Sequence, residues 1–536
     1  MTPTSADRER TPLHVTPSHP TTRRSVLLGG AAALATPAVL RAQGMMDGMM
    51  GSGSMGGMDH DGMMGGDAKA PTAIRSGEPF RPLPLLDATS GTLDLRAMVG
   101  ETRFGGGAPT PTMGWGQAYL GPTIRMRRGT TVAATVANGT GVPISAHWHG
   151  LNVPSNADGG APQSVTRPGA TWNATLPVDQ PAMTGWYHTH VHGRTAPDLW
   201  AGLAGAIVLE DDRADALGLP SEHGVDDLVL ILQDKRFGAD GRATYEPGMM
   251  EIMHGYVGDT VLANGQLAPV ADVPTGHVRL RLVNTATSAE HRIAFDRPTV
   301  LIGVDQGLLP TPVAVERVTI APGERVEVVV DMSGGGEASP TVVASTVGGG
   351  MEGMGGMMDG GMMDGGMMMG GGEPHPLITL RADPDRRGAG RVPDRLADDL
   401  PTLPEPVATR RFVLQENMGP MQHVRRIVGR GPVMAINGEP YDAGRADFTA
   451  ERGTVERWTI VSEGMAHPFH AHGVRFRVPD PRTPEETGWK DVVTVAGTRD
   501  LLVAIDAETI DDVPLMFHCH ILEHEDAGMM GQFLTT

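Results

Sequence analysis

The sequence predicts an all-β protein made of three consecutive Greek-key β-sandwich domains. Its 536 residues include 73 glycines and 43 prolines, which supply many turns, and long helical periodicity is scarce. In segments such as residues 325–331, polar and apolar side chains tend to alternate, as they do in a half-buried strand. A hairpin-like unit also recurs about every 150 to 180 residues, which indicates repeated copies of one domain.

The repeated unit is a turn glycine that leads into an alternating strand. Gly129, Gly276 and Gly453 occupy the turn, and a short Gly- or Pro-containing turn precedes each strand. We expect the three copies to span residues 74–215, 225–345 and 406–536, with a Met/Gly-rich insert and linker at residues 346–405.

Composition argues against a nucleic-acid partner and against an intrachain disulfide. Lys and Arg total 43 against 63 acidic residues, a net charge of −20, and the body of the chain has no Lys/Arg-rich cluster. A nucleic-acid partner is therefore not expected. Cys519 is the only cysteine, so it cannot form a disulfide within the chain and is either a buried bystander or chemically active.

The N-terminus resembles an export signal. Arg23 and Arg24 precede a mildly apolar run at residues 26–40, which is typical of a twin-arginine signal. The run is shorter than the ~20 apolar residues that a membrane span needs. We expect residues 1–43 to be this signal, with the export machinery as a partner, a periplasmic or otherwise exported location and no stable membrane insertion.

Two segments consist almost entirely of Gly, Met and Asp. Residues 44–66, within a tract at 44–73, hold eight methionines and residues 348–372 hold nine, about half of the 33 in the chain. They are either flexible linkers or segments that bind a soft metal, because thioethers suit Cu(I). The interleaved carboxylates would raise the local cation concentration; they include Asp47, Asp59, Asp359 and Asp364.

Histidines form four clusters, two near each end of the chain. An alternating His-x-His on a strand directs both imidazoles to one face, so each cluster can offer a pair of ligands to metal. Eight such histidines among 20 make coincidence a poor explanation. The pairs are His147 and His149, His188 and His190, His470 and His472, and His518 and His520.

The last cluster predicts an electron-transfer copper site. The thiolate of Cys519, the imidazoles of His467 and His524, and a weak axial thioether from Met529 form the His₂Cys-plus-Met set of blue-copper sites. Zinc is a weaker interpretation, because a lone cysteine does not match structural zinc patterns. Alternation and spacing favour Met529 over the adjacent Met530 as the axial ligand.

These four motifs, in this order and spacing, resemble those of the multicopper oxidases, and most closely the bacterial periplasmic cuprous oxidases with laccase-like activity. The resemblance implies cupredoxin-like domains and four coppers per chain. It assigns a type 1 copper to His467, Cys519, His524 and Met529. It assigns the type 2 copper to His147 and His470, one type 3 copper to His149, His188 and His520, and the other to His190, His472 and His518.

The resemblance also implies roles for acids and a donor site. Asp158 and Glu525 match the family's acids on the proton path to the cluster; the alternative for each is a solvated or salt-bridged carboxylate. Glu463 and Met465 match positions that hold a substrate Cu(I) beside the type 1 copper. Met418 and Met421 could complete that site, and core packing explains them equally well.

We therefore expect an oxidase that couples one-electron oxidation of a donor to the reduction of O₂ to water. Cu(I) is the expected donor, with a role in copper tolerance. Alternatives are a general laccase that oxidises phenols or aromatic amines, a non-enzymatic copper-binding or storage protein, and a copper nitrite reductase, which should need fewer domains. A monomer is the default expectation.

Overall fold

The structure is a computed structural model that describes residues 75–160, 164–347, 373–416, 434–462 and 464–536. These residues belong to one compact unit, Ala68–Thr536. Strands predominate, which confirms the predicted all-β class. The α-helices in the described residues are short: α1 Thr195–Trp200, α2 Asp212–Leu217, α3 Met249–His254 and α4 Leu522–Asp526. The export signal and both Met-rich segments lie outside the described residues.

The N-terminal part of the chain forms two sheets, ordered β1-β4-β9-β8-β6 and β3-β2-β5-β7. Their inward faces enclose one hydrophobic core that includes Trp115 and Trp148. The strands are β1 Leu85–Asp87, β2 Thr92–Thr102, β3 Thr110–Trp115, β4 Thr123–Arg127, β5 Thr130–Gly139, β6 His147–His149, β7 Thr171–Val178, β8 Met183–His188 and β9 Ala204–Glu210.

The middle part forms three sheets of seven, three and four strands. After residue 372 the chain returns to these sheets, where β23 pairs in parallel with β13. The strands are β10 Asp227–Phe237, β11 Ala243–Thr244, β12 Thr260–Ala263, β13 Val270–Thr275, β14 His277–Asn284, β15 Glu290–Ala294, β16 Thr299–Val304, β17 Gly307–Ala314, β18 Arg317–Ile320, β19 Arg325–Asp331, β20 Glu337–Ala338, β21 Thr341–Thr346, β22 His375–Pro376 and β23 Thr379–Arg387.

The C-terminal part again forms two sheets, ordered β25-β24-β27-β31-β29 and β26-β33-β32-β28-β30. They pack around a core rich in aromatic side chains, among them Trp458 and Phe469. The strands are β24 Ala408–Glu416, β25 Met434–Ile436, β26 Phe448–Ala450, β27 Val455–Ser462, β28 His467–Ala471, β29 Val474–Arg477, β30 Val492–Val495, β31 Thr498–Ile505, β32 Leu515–Cys519 and β33 Met530–Thr535.

The repeat predicted from the turn glycines appears as three equivalent strands. β5, β14 and β27 each have one parallel and one antiparallel neighbour in their sheet. Gly129, Gly276 and Gly453 precede them with φ of 85°, 118° and 78°, a region that glycine enters at little energetic cost. The exact domain boundaries remain a prediction. Among the described helices, none has the length and apolar character to cross a membrane.

Candidate metal centres

The single cysteine lies at the end of β32, facing two histidines from neighbouring elements. Cys519 Sγ is 3.4 Å from His467 Nδ1 on β28 and 3.8 Å from His524 Nδ1 on α4. The two Nδ1 atoms are 3.3 Å apart. All three side chains are buried. Three converging ligand atoms in a buried pocket form a site that fits one metal ion.

Met529 reaches the same pocket through its backbone. Its carbonyl accepts a hydrogen bond from Cys519 N at 3.1 Å, and its own N–H donates to His524 O at 2.9 Å. Burial raises the pKa of the Cys519 thiol well above its usual range. A bound cation would therefore stabilise the thiolate form in this pocket. Ile521 N–H, 3.3 Å from the sulfur, would donate to that thiolate.

Eight further histidines form one buried cluster between the N-terminal and C-terminal sheets. Strand pairing places His147 opposite His188, and His470 opposite His518. His190 Nε2 and His472 Nε2 each lie 3.2 Å from His518 Nε2, so the three histidines of one predicted ligand set lie together. The predicted type 2 pair also lies together, in a group that contains His472.

The three histidines of the remaining predicted set lie farther apart. His149 and His188 form a group with His147, and the ring of His520 has its centroid 5.3 Å from that of His149 and 6.0 Å from that of His188. The structure therefore brings all eight histidines to one place. How they divide among individual ions stays a prediction.

The rings are held from outside the cluster by acceptors of the protein. The Nδ1 atoms of five rings have an oxygen acceptor between 2.6 and 3.0 Å: His147 to Asp158 O, His188 to Thr189 O, His470 to Asp491 O, His472 to Asp158 Oδ2 and His518 to Cys519 O. His149 is reversed, with Nε2 3.3 Å from Asp491 Oδ1. Outer acceptors of this kind fix the tautomer of metal-binding histidines.

The inner nitrogens test whether the cluster fits a metal. Within the described residues, the buried cluster nitrogens that have no hydrogen-bond partner include His147 Nε2, His149 Nδ1, His188 Nε2, His470 Nε2 and both ring nitrogens of His520. Burial lowers the pKa of most of these rings, including that of His190 to about 4 and that of His520 to about 3. Inner ring nitrogens face one another at distances as short as 3.2 Å, which is unfavourable unless cations lie between them.

Both predicted acids are buried against this cluster. Asp158, 2% exposed, contacts His472 through Oδ2 at 2.7 Å. Glu525, fully buried, has Oε2 3.2 Å from His518 Nδ1 and Oε1 3.6 Å from His190 Nδ1. Neither is a solvated surface carboxylate. Their role in proton delivery stays a prediction.

Of the predicted donor residues, Met465 is described and half-buried at the edge of the C-terminal core. Its carbonyl accepts a hydrogen bond from Ser462 Oγ. Glu463, Met418 and Met421 lie outside the described residues, so the structure says nothing about them.

Sequence reasoning missed two acids beside the histidines. Asp491 contacts His149 through its carboxylate and His470 through its carbonyl. Glu416 has Oε1 3.8 Å from the outer nitrogen of His467. Neither lies inside a histidine motif, and the only local signal, a lone acid near a strand end, is too common to find them.

Comparison with known proteins identifies the family. Residues 97–214 and 405–536 each match a family described as multicopper oxidase, and these two segments contain all ten histidines and the cysteine of the two centres. The chain belongs to the multicopper oxidase family. The family prediction is confirmed. The family and the fold support an oxidoreductase, and the histidine clusters of this chain suit copper.

The individual relatives of this multicopper oxidase carry two different kinds of name. The cell division protein FtsP of Yersinia pestis is 36% identical over 84% of this chain and 91% of its own length, and that of Photorhabdus laumondii is 33% identical over the same shares. The solved structure of the bacterial laccase-like multicopper oxidase CueO from Ochrobactrum sp. is 36% identical, with a TM-score of 0.75, over 85% of this chain and 100% of its own.

Proposed function

We propose that this multicopper oxidase couples one-electron oxidation of a donor to the four-electron reduction of O₂ to water. The observation that supports it is the position of Cys519 between His518 and His520. The cysteine belongs to the three-ligand pocket, while both neighbours belong to the eight-histidine cluster. Short covalent paths therefore connect the two centres.

The residues that would hold copper are those predicted from the motifs. His467, Cys519, His524 and Met529 would bind one ion, and the eight clustered histidines three more. When bound, copper would supply the one-electron oxidation of the donor at the first centre and the reduction of O₂ at the second.

The chain's own residues orient these ligands and exclude water. Asp158, Asp491 and backbone carbonyls hold the outer nitrogens, so the inner lone pairs point to the cluster. Burial lowers the pKa of six of the rings and so favours their neutral, metal-binding form. Reduction of O₂ consumes protons, and Asp158 and Glu525, whose carboxylates contact rings of the cluster, could hold and pass them.

Replacement of the sulfur tests the proposal. Copper-loaded Cys519→Ser should lose the intense visible absorption of a thiolate-bound copper and its O₂ uptake, and retain about three of four coppers. Met529→Leu should shift the absorption, whereas Met530→Leu, the adjacent buried methionine, should leave it unchanged. Full colour and full O₂ uptake in Cys519→Ser would refute the proposal.

We infer that Cu(I) is the donor and that the protein contributes to copper tolerance. Support comes from the soft and anionic groups around His467: Met465 and Glu463 precede it, and Glu416 lies against its outer nitrogen. Exposed Met249 and Met250 lie on α3, and Met253 O of that helix accepts from His524 Nε2 at 3.1 Å.

Donor specificity can be measured directly. Met465→Ala, Glu463→Ala and Glu416→Gln should lower kcat/KM for Cu(I) and preserve turnover of a bulky organic dye. Val407→Ala, an exposed apolar residue of the same domain, serves as the control. An equal loss for both donors would favour a general laccase, in keeping with the laccase-like character of the Ochrobactrum protein.

A role in cell division is the second candidate, because the relatives named above carry that name. Cells that lack this chain would be complemented with the wild type and with Cys519→Ser. Restored septation by both proteins would indicate a division role that does not depend on electron transfer. Septation and copper tolerance restored by the wild type alone would favour the oxidase.

Export and metal collection are further parts of the proposal. Arg23→Lys with Arg24→Lys should retain the protein in the cytoplasm if the N-terminus is a twin-arginine signal.

Deletion of residues 44–66 and 348–372 should leave O₂ uptake intact if these segments only gather copper. Abolished turnover would instead favour the storage interpretation. Light scattering tests the expected monomer.

A further inference from the structure

The middle sheets supply none of the predicted copper ligands, yet one of their side chains lies directly behind the histidine cluster. Arg325 is the first residue of β19 and is fully buried. A buried guanidinium needs an acceptor for each of its five N–H groups. Its partners therefore reveal what it holds in place.

All five N–H groups of Arg325 have acceptors. Nε donates to Thr184 O at 3.1 Å; Nη1 donates to Gly323 O at 3.1 Å and Asp491 Oδ1 at 2.5 Å; Nη2 donates to Asp305 O at 2.9 Å and Asp491 Oδ2 at 2.7 Å. Thr184 lies on β8 of the N-terminal sheets and Asp491 directly precedes β30 of the C-terminal sheets. One side chain thus joins all three parts of the chain.

Asp491, which Arg325 holds in place, contacts two rings of the cluster. Its Oδ1 is 3.3 Å from His149 Nε2, and its carbonyl accepts from His470 Nδ1 at 2.8 Å. The two rings are stacked with centroids 3.8 Å apart. Because the carboxylate accepts from Nε2, His149 must present Nδ1 to the cluster, the reverse of the five rings whose Nδ1 is held from outside.

The backbone beside His149 leaves room for this contact. Gly150 has φ of +96°, and a Cβ built on it would lie 2.7 Å from Arg325 Nη2 and 3.3 Å from Asp491 Oδ2. Any other residue would push the guanidinium away. Gln306 completes the site, since its Nε2 donates to Asp491 Oδ2 at 2.5 Å and to Gly150 O at 3.1 Å.

We propose that Asp491, clamped by Arg325, is a positioning residue that fixes the tautomer and orientation of His149 and thereby sets the copper affinity of the histidine cluster. The proposal rests on the copper-binding role proposed above for that cluster. It gives the middle part of the chain a function at the metal centre, to which it contributes no ligand.

Copper retention tests the proposal without relying on turnover. Wild type, Asp491→Ala, Asp491→Asn and Arg325→Lys would be loaded with copper and titrated with a chelator, while cysteine-site copper is followed by visible absorption and total copper by elemental analysis. Asp491→Ala should release cluster copper at about 10- to 100-fold lower chelator concentration, with the cysteine-site colour unchanged. Asp491→Asn should lose less, because its amide oxygen can still accept from His149. Arg325→Lys should also weaken retention, because an ammonium cannot clamp a carboxylate at two points.

A buried Arg–Asp pair that lies entirely within the middle sheets provides the control. Arg281 binds both oxygens of Asp227 through Nε and Nη2, and Asp227 is 5% exposed. Asp227→Asn should reduce thermal stability and leave the chelator midpoint at the wild-type value. An equal drop in the control would show that loss of any buried pair loosens copper, and would overturn the proposal.

The remaining outcomes are also decisive. A wild-type midpoint for Asp491→Ala contradicts the positioning role while leaving the oxidase proposal intact. If that variant does not fold, a wild-type midpoint for both Asp491→Asn and Arg325→Lys contradicts it equally. A wild-type protein that binds no copper in the histidine cluster would instead refute the function on which the inference rests.

Discussion

Asp158 Oδ2 lies 2.7 Å from His472 Nδ1, although 314 residues separate the two in the chain. The carbonyl of the same aspartate accepts from His147 Nδ1 at 3.0 Å. One residue therefore orients a ring from the N-terminal sheets and a ring from the C-terminal sheets. The rings of His147 and His472 are stacked, with centroids 3.8 Å apart.

Removal of the Asp158 carboxylate should loosen one of these rings and spare the other. Asp158→Ala should lower O₂ uptake by about 10- to 100-fold, because His472 loses its outer acceptor whereas His147 keeps the backbone carbonyl. Asp158→Asn, which retains an acceptor oxygen, should show a smaller loss of copper. If its O₂ uptake falls as far as that of Asp158→Ala while copper is retained, the carboxylate also serves in proton delivery.

The exposed Asp179 offers a matched control in the same part of the chain. Asp179→Ala should leave both copper content and O₂ uptake unchanged. Unaltered kinetics in Asp158→Ala would contradict the role of the contact.

Phe469 couples core packing to both centres, because it lies between His467 and His470 on β28. It is fully buried, faces Cys519 across the sheet, and has ring centroids 6.1 to 6.4 Å from Phe412, Trp458 and Phe517. Phe469→Ala should destabilise the protein by about 3–5 kcal/mol and shift the visible absorption of the cysteine site.

Phe448 allows the two effects to be separated. It belongs to the same aromatic core and stacks on Phe533 at 5.1 Å, but it lies on β26, which pairs with β33 and carries no predicted copper ligand. Phe448→Ala should lower the melting temperature and leave the absorption band in place. Equal spectral changes in both variants would mean that the core responds as a whole.

The histidine motifs could be predicted from sequence because their geometry is local. Alternation along one strand places His147 and His149, or His470 and His472, on one face whatever the surrounding fold. Asp491 could not be found in this way, because its contacts with His149 and Arg325 depend on how sheets distant in sequence pack together. The reversed orientation of the His149 ring depends on the same packing.

Glu290 should make stability depend on pH. It is 7% exposed on β15, and burial, reinforced by Glu485, raises its pKa to about 7 against the opposing pull of Arg292. A raised folded-state pKa means that the stabilisation is complete below about pH 4.5 and is lost as pH rises through 7. Ionisation of the buried carboxyl should cost roughly 3 kcal/mol at pH 8.5.

Glu290→Gln removes this ionisation. The variant should melt near the wild-type temperature at pH 4.5 and several degrees higher at pH 8.5. Glu78→Gln, at an exposed position, should track the wild type at both values. A wild-type pH profile for Glu290→Gln would contradict the assignment.

Removal of copper should destabilise the whole described unit, because the ligands come from both the N-terminal and the C-terminal sheets. Without cations, inner nitrogens such as His147 Nε2 and His470 Nε2 remain buried and unpaired within the described residues. A metal whose free concentration is about a thousandfold higher than its dissociation constant stabilises the folded protein by about 4 kcal/mol. Chelation should therefore lower the melting temperature of the wild type by several degrees.

The shift should be smaller in His470→Ala, which has already lost a cluster ligand. Re-addition of Cu(II) should restore the melting temperature of the wild type. Identical melting curves for copper-loaded and chelated wild type would show that the eight histidines do not hold the sheets together through metal.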